Sequence, residues 1–234
     1  MDTFLEMIEA VQSDLTIGDE SSLMPLATVK LAINRAYISK VSAIFKWPQT
    51  EDAKLTSTEA GLEYYDYPDM WRPNSIWKLV VDGTDYGDPT AFQDYRFEID
   101  HDLSFGNNNK MWANKALKYF IYPTPTTNGS NNIEVHGQLI PEKLVSNGDT
   151  SIFSYNMPEC NEAIVLEAKA ILKAKGEDPK NGDFASVEAK QILVAAWGKL
   201  RQEQAKYEKT IPMLNVGDMF GRNSSVSRGR IGNF

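Results

Sequence analysis

Residues able to do covalent or metal chemistry are few in this chain of 234 residues, and their neighbours argue against most uses. One cysteine, Cys160, and two histidines, His101 and His136, leave too few thiolates and imidazoles for a zinc cage, and one thiol makes no internal disulfide. Cys160 falls near an expected helix start, where the helix dipole lowers a thiol pKa. Glu159 and Glu162 flank it and oppose a thiolate, so it reads as a small core residue rather than a nucleophile. Asp100-His101-Asp102 sets three possible ligands in a row, but neighbours on an extended chain point to opposite faces and do not meet one ion. A polar turn is the simpler reading. His136 falls among Glu134 and Gln138 on the polar face of an alternating run. No GxSxG elbow, no GxxxxGK[ST] loop and no GxGxxG after a strand occurs, so acyl transfer and nucleotide chemistry have no anchor. No catalytic residue, cofactor or metal is expected.

Paired acids are the strongest enzymatic option. Glu51-Asp52 and Asp82 with Asp85 could run glycoside hydrolysis if an aromatic cleft held the sugar, and Trp71, Trp77, Tyr64, Tyr65 and Tyr67 could supply stacking platforms. The same aromatics could serve a carbohydrate- or protein-binding module. Against both, aromatics two apart, as in Tyr65 and Tyr67, are what a strand packed on a small core requires. Composition is that of a globular chain, with 42% hydrophobic and 24% charged residues. A formal charge of −8 disfavours general nucleic-acid binding. No apolar run reaches the roughly 20 residues of a membrane span, and the N-terminal residues lack a signal peptide's pattern, so a cytoplasmic start is the expectation.

The elements that must position these residues follow from periodicity. In Thr3 to Leu15, Phe4, Leu5, Ile8, Val11 and Leu15 lie on one helical stripe. A second helix starts at Pro25 and carries Leu26, Val29, Ile33, Ala36, Tyr37, Val41 and Ile44 until Trp47-Pro48 stops it. From Pro48 to Met157, turn residues punctuate runs rich in Tyr, Phe, Ile, Val and Trp, which predicts strands. Leu62 to Asp66 and Ser75 to Val81 are candidates, the latter followed by the turn pair Asp82-Gly83. Phe92 to Ile99 is a weaker one. Leu117 to Tyr122 and Ile133 to Leu139 read as antiparallel neighbours with a long connection.

Helical spacing returns after Asn156, which with Glu159 imitates a capping box. That helix should run to about Lys175 with Ala163, Ile164, Ala168, Ile171 and Leu172 inside. Asp183 then caps a last helix to about Lys209, burying Ala189, Ile192, Leu193, Ala196, Leu200 and Tyr207. The expected fold is α+β: an antiparallel bundle of about four helices, from 1–47 and 158–209, with an antiparallel β domain inserted over 48–157.

The last segment, 210–234, differs. It holds Arg222, Arg228 and Arg230 against the single acid Asp218, with Gly217, Gly221, Gly229 and Gly232 between apolar residues that include Leu214, Met219, Phe220 and Phe234. Glycines suit a chain that bends around a surface, bulky residues fill grooves, and arginines pair with acids. An extended arm that orders on a partner is expected, with Leu214, Met219, Phe220, Arg222, Arg228, Arg230 and Phe234 as its contact residues.

This order of parts resembles the head-to-tail adaptor, or connector, proteins of tailed bacteriophages. The resemblance is carried by Trp47-Pro48 after a helix pair; by Leu55-Thr56 through Gly61, Tyr64, Tyr65 and Pro68; and by Leu79 to Gly83 after Trp77. Tyr119 to Pro125 (YFIYPTP), Ile133 to Pro141 (IEVHGQLIP) and the late helix AAWGKLRQEQAKYEK, Ala195 to Lys209, complete it. The resemblance implies a structural virion protein without catalysis, made in the host cytoplasm and assembled at the head-tail junction as a ring of about twelve copies. Its partners would be the portal protein, reached by the C-terminal arm, neighbouring copies of itself, and tail or nozzle proteins. DNA would be a passing occupant of the channel during ejection, and no membrane is involved. The polar stretch Thr84 to Asn114 departs from the pattern and is expected to be an elaboration toward a tail protein.

Overall fold

The structure is a computed structural model that describes residues 3–16, 25–101, 110–174 and 179–210. In chain order these form α1 (Phe4–Thr16), α2 (Leu26–Ala36), a π turn (Tyr37–Val41), α3 (Ser42–Ile44), a 3-10 turn (Pro48–Thr50), β1 (Glu51–Thr56), β2 (Tyr64–Asp66), β3 (Lys78–Val81) and β4 (Thr84–Asp85). Then follow α4 (Phe92–Asp100), β5 (Met111–Lys115), β6 (Lys118–Tyr122), β7 (Ile133–Gln138), α5 (Glu159–Lys173) and α6 (Pro179–Thr210). Helices and antiparallel sheets together give the α+β class. Residues to Leu193 belong to one compact unit, and Val194 begins a second.

A capping box does occur, but at α1. The Thr3 amide donates to Glu6 Oε2 (2.7 Å) and the Glu6 amide donates back to Thr3 Oγ1 (3.3 Å), which satisfies two amides at the helix start. Phe4, Met7, Ile8 and Val11 are buried, whereas Leu5 is exposed, so Met7 takes the place expected for Leu5. In α2 and the π turn, Val29, Ala32, Ile33, Ala36, Tyr37 and Val41 are buried; Leu26 and Ile44 lie outside that face. Trp47 ends the run as expected. Its indole donates to the Val41 carbonyl (2.9 Å), and its ring meets Phe45 and Phe153 edge-on at 5.4 and 5.3 Å.

Helix α5 packs on α1, α2 and the π turn, and it is buried on nearly every side. It starts at Glu159 behind Pro158 with no side-chain cap, so Asn156 does not serve as one; Glu159 and Glu162 instead favour the start electrostatically. Helix α6 begins at Pro179, four residues earlier than expected, because a proline's fixed φ suits a first turn. Asp183 therefore lies inside the helix and does not cap it. Gly182 comes close to α5, where a Cβ would sit 3.2 Å from the Ala170 carbonyl, and Ser186 donates to Glu167 Oε1 (2.9 Å). Ala189, Leu193 and Ala196 are buried, as expected, while Ile192 and Leu200 are half-buried; the Tyr207 side chain lies outside the described residues.

Between these helices lie two antiparallel sheets, ordered β1-β7-β3-β4 and β2-β6-β5. β6 and β7 are thus not neighbours: β7 is flanked by β1 and β3, and β6 by β2 and β5. Both strands alternate, burying Tyr119 and Ile121 or Ile133 and Val135, and that pattern suits two strands facing each other across a core as well as two lying side by side. Those residues join Tyr65, Tyr67, Trp71, Ile76, Leu79, Val81 and Trp112 in one core shared by the two sheets.

Asp82 and Gly83, at φ 50° and 71°, form the two-residue turn between β3 and β4, as the Asp-Gly pair implies. Phe92 to Ile99 is a helix, not a strand. Phe92, Tyr95 and Ile99 recur at three- and four-residue steps, and Tyr95 is wholly buried near the Phe120 ring at 6.1 Å. Among its described residues, the Thr84 to Asn114 stretch therefore holds β4, the edge strand of the first sheet, together with α4 and most of β5, which belong with the second.

The return from β7 to α5 ties the β segment to the helices. Asn34 donates to the Leu144 carbonyl (2.9 Å) and accepts from the Leu144 amide (2.8 Å); the Phe4 amide donates to the Asp149 carbonyl (2.8 Å). From the β side, Arg72 Nη2 donates to the Ile38 carbonyl (3.2 Å) and to Ser42 Oγ (2.8 Å). Ile38 lies in the π turn, and its carbonyl also accepts from the Ser42 hydroxyl (3.0 Å).

Candidate interaction surfaces

Burial removes Cys160 from nucleophilic chemistry. The side chain is fully enclosed, and desolvation, with Glu159 adding to it, pushes the thiol up to about 12. His101 closes α4 with Nδ1 2.9 Å from the Phe97 carbonyl, and Asp102 lies outside the described residues. His136 Nε2 lies 2.9 Å from Glu134 Oε1 on the half-buried face of β7. Three of the four candidate acids are occupied locally, and Glu51 is exposed on β1. Asp52 meets Lys54 (3.3 Å), Asp82 accepts from Asn132 (2.8 Å), and Asp85 accepts from the Gly87 amide (2.8 Å) while facing Lys78 (3.9 Å). They shape strand edges and turns. Among the described residues, no three His, Cys, Asp or Glu side chains gather as metal ligands.

The candidate stacking aromatics divide. Tyr65, Tyr67 and Trp71 are buried, Trp77 is half-buried and Tyr64 is exposed. Tyr65 stacks on Tyr119 with centroids 5.5 Å apart, and Trp71 lies so close over Gly137 that a Cβ there would overlap its ring. The Tyr67 hydroxyl donates to Asn114 Oδ1 (2.7 Å), and burial pushes its pKa up to about 12. Core packing, not sugar stacking, occupies these three rings.

A cleft of about 640 Å³ opens where the return loop passes the helices, lined in part by Tyr37, Thr50, Met70, Ile140, Leu144 and Asp149. Asp149 stands on its rim. The amides of Val145 (2.6 Å) and Ser146 (2.8 Å) donate to Asp149 Oδ2 and hold it below the ordinary carboxylate range. That carboxylate is a loop brace.

All seven expected arm contacts, Leu214, Met219, Phe220, Arg222, Arg228, Arg230 and Phe234, lie outside the described residues. The described helices carry a different apolar surface. On α6, Gly182, Ser186, Ala189 and Leu193 recur at steps of four, three and four along the side that includes the α5 contacts. Phe184, Val187 and Gln191 recur at three and four, about half a turn round the helix. Phe184 is 73% exposed and Val187 52%. The α2 helix repeats this: Val29, Ala32, Ile33 and Ala36 are buried, while Ala27, Leu31 and Arg35 form an outward row with Leu31 65% exposed. A search for one apolar stripe per helix passes over these residues. The signal available in the sequence was apolar residues left over after that stripe had been assigned.

No protein-family model matches the chain, and no curated protein matches it.

Proposed function

We propose that this chain is a head-to-tail adaptor of a tailed bacteriophage: a structural virion protein that forms a ring below the portal and catalyses no reaction. In this reading α1, α2, α5 and α6 are the four members of an antiparallel bundle. The β segment projects from it, and residues 210–234 are the arm that engages the portal protein. The ring continues the DNA channel, and its far face docks tail or nozzle proteins. DNA passes without specific contacts, for which an acidic chain of charge −8 is suited, since it repels phosphates. The protein would act at the head-tail junction of the virion after synthesis in the host cytoplasm.

The observation that carries this reading is the order of parts. Two helices lead into a β unit that leaves and re-enters the helical layer at adjacent points, around Trp47 and Phe153, whose rings touch at 5.3 Å. Such an insertion lets the helices before and after the β unit pack on each other, as α1 and α2 do on α5. The rival reading, a carbohydrate- or protein-binding module using the aromatic β unit, loses Tyr65, Tyr67 and Trp71 to the core and keeps Trp77 and Tyr64. A hydrolase would need two carboxylates facing across a cleft, whereas Asp82 and Asp85 are engaged at the β3–β4 turn and Asp52 pairs with Lys54 on β1.

Sedimentation of the protein with and without a purified portal ring of the same virus tests the proposal. Co-sedimentation at about one copy per portal subunit is the expected result, with loss of attachment when residues 210–234 are removed. Absence of association across a range of salt concentrations would overturn it. Tight binding by the truncated chain would overturn the arm's role.

A further inference from the structure

Two helices of the described structure are apolar on both sides, and both border α5. Helix α6 spends one side on α5 through Gly182 and Ser186 and leaves Phe184 and Val187 outward; α2 buries Val29, Ala32, Ile33 and Ala36 and leaves Ala27 and Leu31 outward. A surface helix of a monomer has one apolar stripe and one polar one. A second stripe calls for a second cover, and large exposed apolar residues rimmed by charge mark an interface.

Charge identifies the cover. From Ser21 to Thr50 the sequence contains Lys30, Arg35, Lys40 and Lys46 and no acid, although the chain as a whole carries −8. The α2 region is thus a positive island on a negative molecule. Two α2 faces repel each other, so a symmetric pairing through that face is unfavourable, whereas the α2 face of one molecule and the acidic remainder of another attract. On α6, Asp183 and Glu188 flank the Phe184–Val187 row on either side and level with it, whereas the sequence places Lys180 a turn before Phe184 and Lys190 past Val187, so the acids are the charges nearest the centre of the exposed row.

We infer that the outward face of α2 in one molecule, centred on Leu31 and Arg35, docks on the outward face of α6 in a second copy, centred on Phe184 and Val187. The contact joins two different surfaces, so each molecule keeps one free face of each kind, and repetition gives a chain that closes into a ring when the rotation allows. Leu31 and Phe184 are the apolar anchors, and Arg35 opposite Glu188 sets the register. The inference rests on the proposed ring and names the surfaces that build it.

Full-length chains carrying Leu31→Cys and Phe184→Cys, mixed at high concentration and oxidised, test the contact directly; Cys160 is fully buried and does not interfere. The mixture should yield a disulfide-linked dimer at least roughly tenfold in excess of either variant alone, since anchor residues of an interface lie face to face. A mixture that gives no more cross-linked dimer than the single variants overturns the inference. A second measurement uses Leu31→Asp and Phe184→Arg, each of which blocks one face. Each alone should sediment as a monomer, and together they should form a 1:1 dimer that grows no further, because the mixture retains one usable pair of faces. Oligomers unchanged by both substitutions overturn it.

Portal attachment is read separately. A protein that binds the portal without the 31–184 cross-link loses the inference and keeps the adaptor role; one that cross-links without binding the portal does the reverse.

Discussion

The β unit spends most of its large aromatics on a core, leaving Tyr64 and Phe97 exposed, whereas two helices turn a row with apolar residues outward. The β unit is where the sequence is richest in aromatics, and there Tyr65, Tyr67, Trp71, Trp112 and Tyr119 turn inward to one core shared by two sheets. The helices are plainer in composition, yet Leu31, Phe184 and Val187 stand in water. Aromatic density therefore marks where a small sheet pair needed bulk, since a few short strands bury enough surface only with large residues. Surfaces for partners are marked instead by apolar residues in excess of what a helix's neighbours can cover.

The largest test of that contrast is removal of a ring from the β core. Trp112 is fully buried and donates to the Gly87 carbonyl (2.8 Å), so Trp112→Ala should lower stability by about 3–5 kcal/mol in urea unfolding, from cavity and lost contacts together. A loss below about 1 kcal/mol would place Trp112 among surface residues and dissolve the contrast. A smaller change makes the same point by crowding. Gly137 lies under the Trp71 ring, and Gly137→Ala should cost about 1–3 kcal/mol, because the ring must move or the strand must shift. An unchanged midpoint would mean that Trp71 is free to leave, as a ligand-stacking residue would be.

The helices were legible in the sequence because their signals are local: three- and four-residue spacing, Pro25 and the Trp47-Pro48 stop. Their ends were less so. Asn156 and Asp183 have cap chemistry, but Pro158 and Pro179 set the starts, and the capping box formed at Thr3 and Glu6. The Asp82-Gly83 turn was legible since its geometry needs two positive φ angles, which that pair tolerates. Strand pairing was not. Alternation tells which face of β6 and β7 is buried and says nothing of which edge each strand occupies. β1 (EDAKLT) is polar and largely exposed, so its place beside β7 left no hydrophobic trace. Of the arm's expected contacts, none falls within the described residues, whereas the outward rows of α2 and α6 were present in the sequence as unassigned apolar positions.

Cys160 sharpens the comparison from inside the helical layer, where a reactive group is hidden as thoroughly as the β aromatics. At pH 8 a thiol reagent should leave the folded protein unlabelled and label it fully in guanidinium. The sign of the pH effect follows from the raised pKa. The folded state keeps the proton up to about 12, and an unfolded thiol loses it near about 8.5, so stability is full below that lower value and declines as pH rises between the two. Rapid labelling of the native protein would show that α5 opens.

The smallest expected effect on stability belongs to Phe184→Ser. In the β core a lost ring leaves a cavity, but Phe184 is 73% exposed, and serine and phenylalanine differ little in helix propensity, so thermal unfolding of the isolated chain should shift by no more than about 0.5 kcal/mol. Self-association should fall sharply in the same sample. That pairing of outcomes is what separates a ring held in reserve for a partner from one that packs a core. If instead Phe184→Ser destabilised the monomer as Trp112→Ala does, the outward row of α6 would be covered by the chain itself, and the difference between the two regions would vanish.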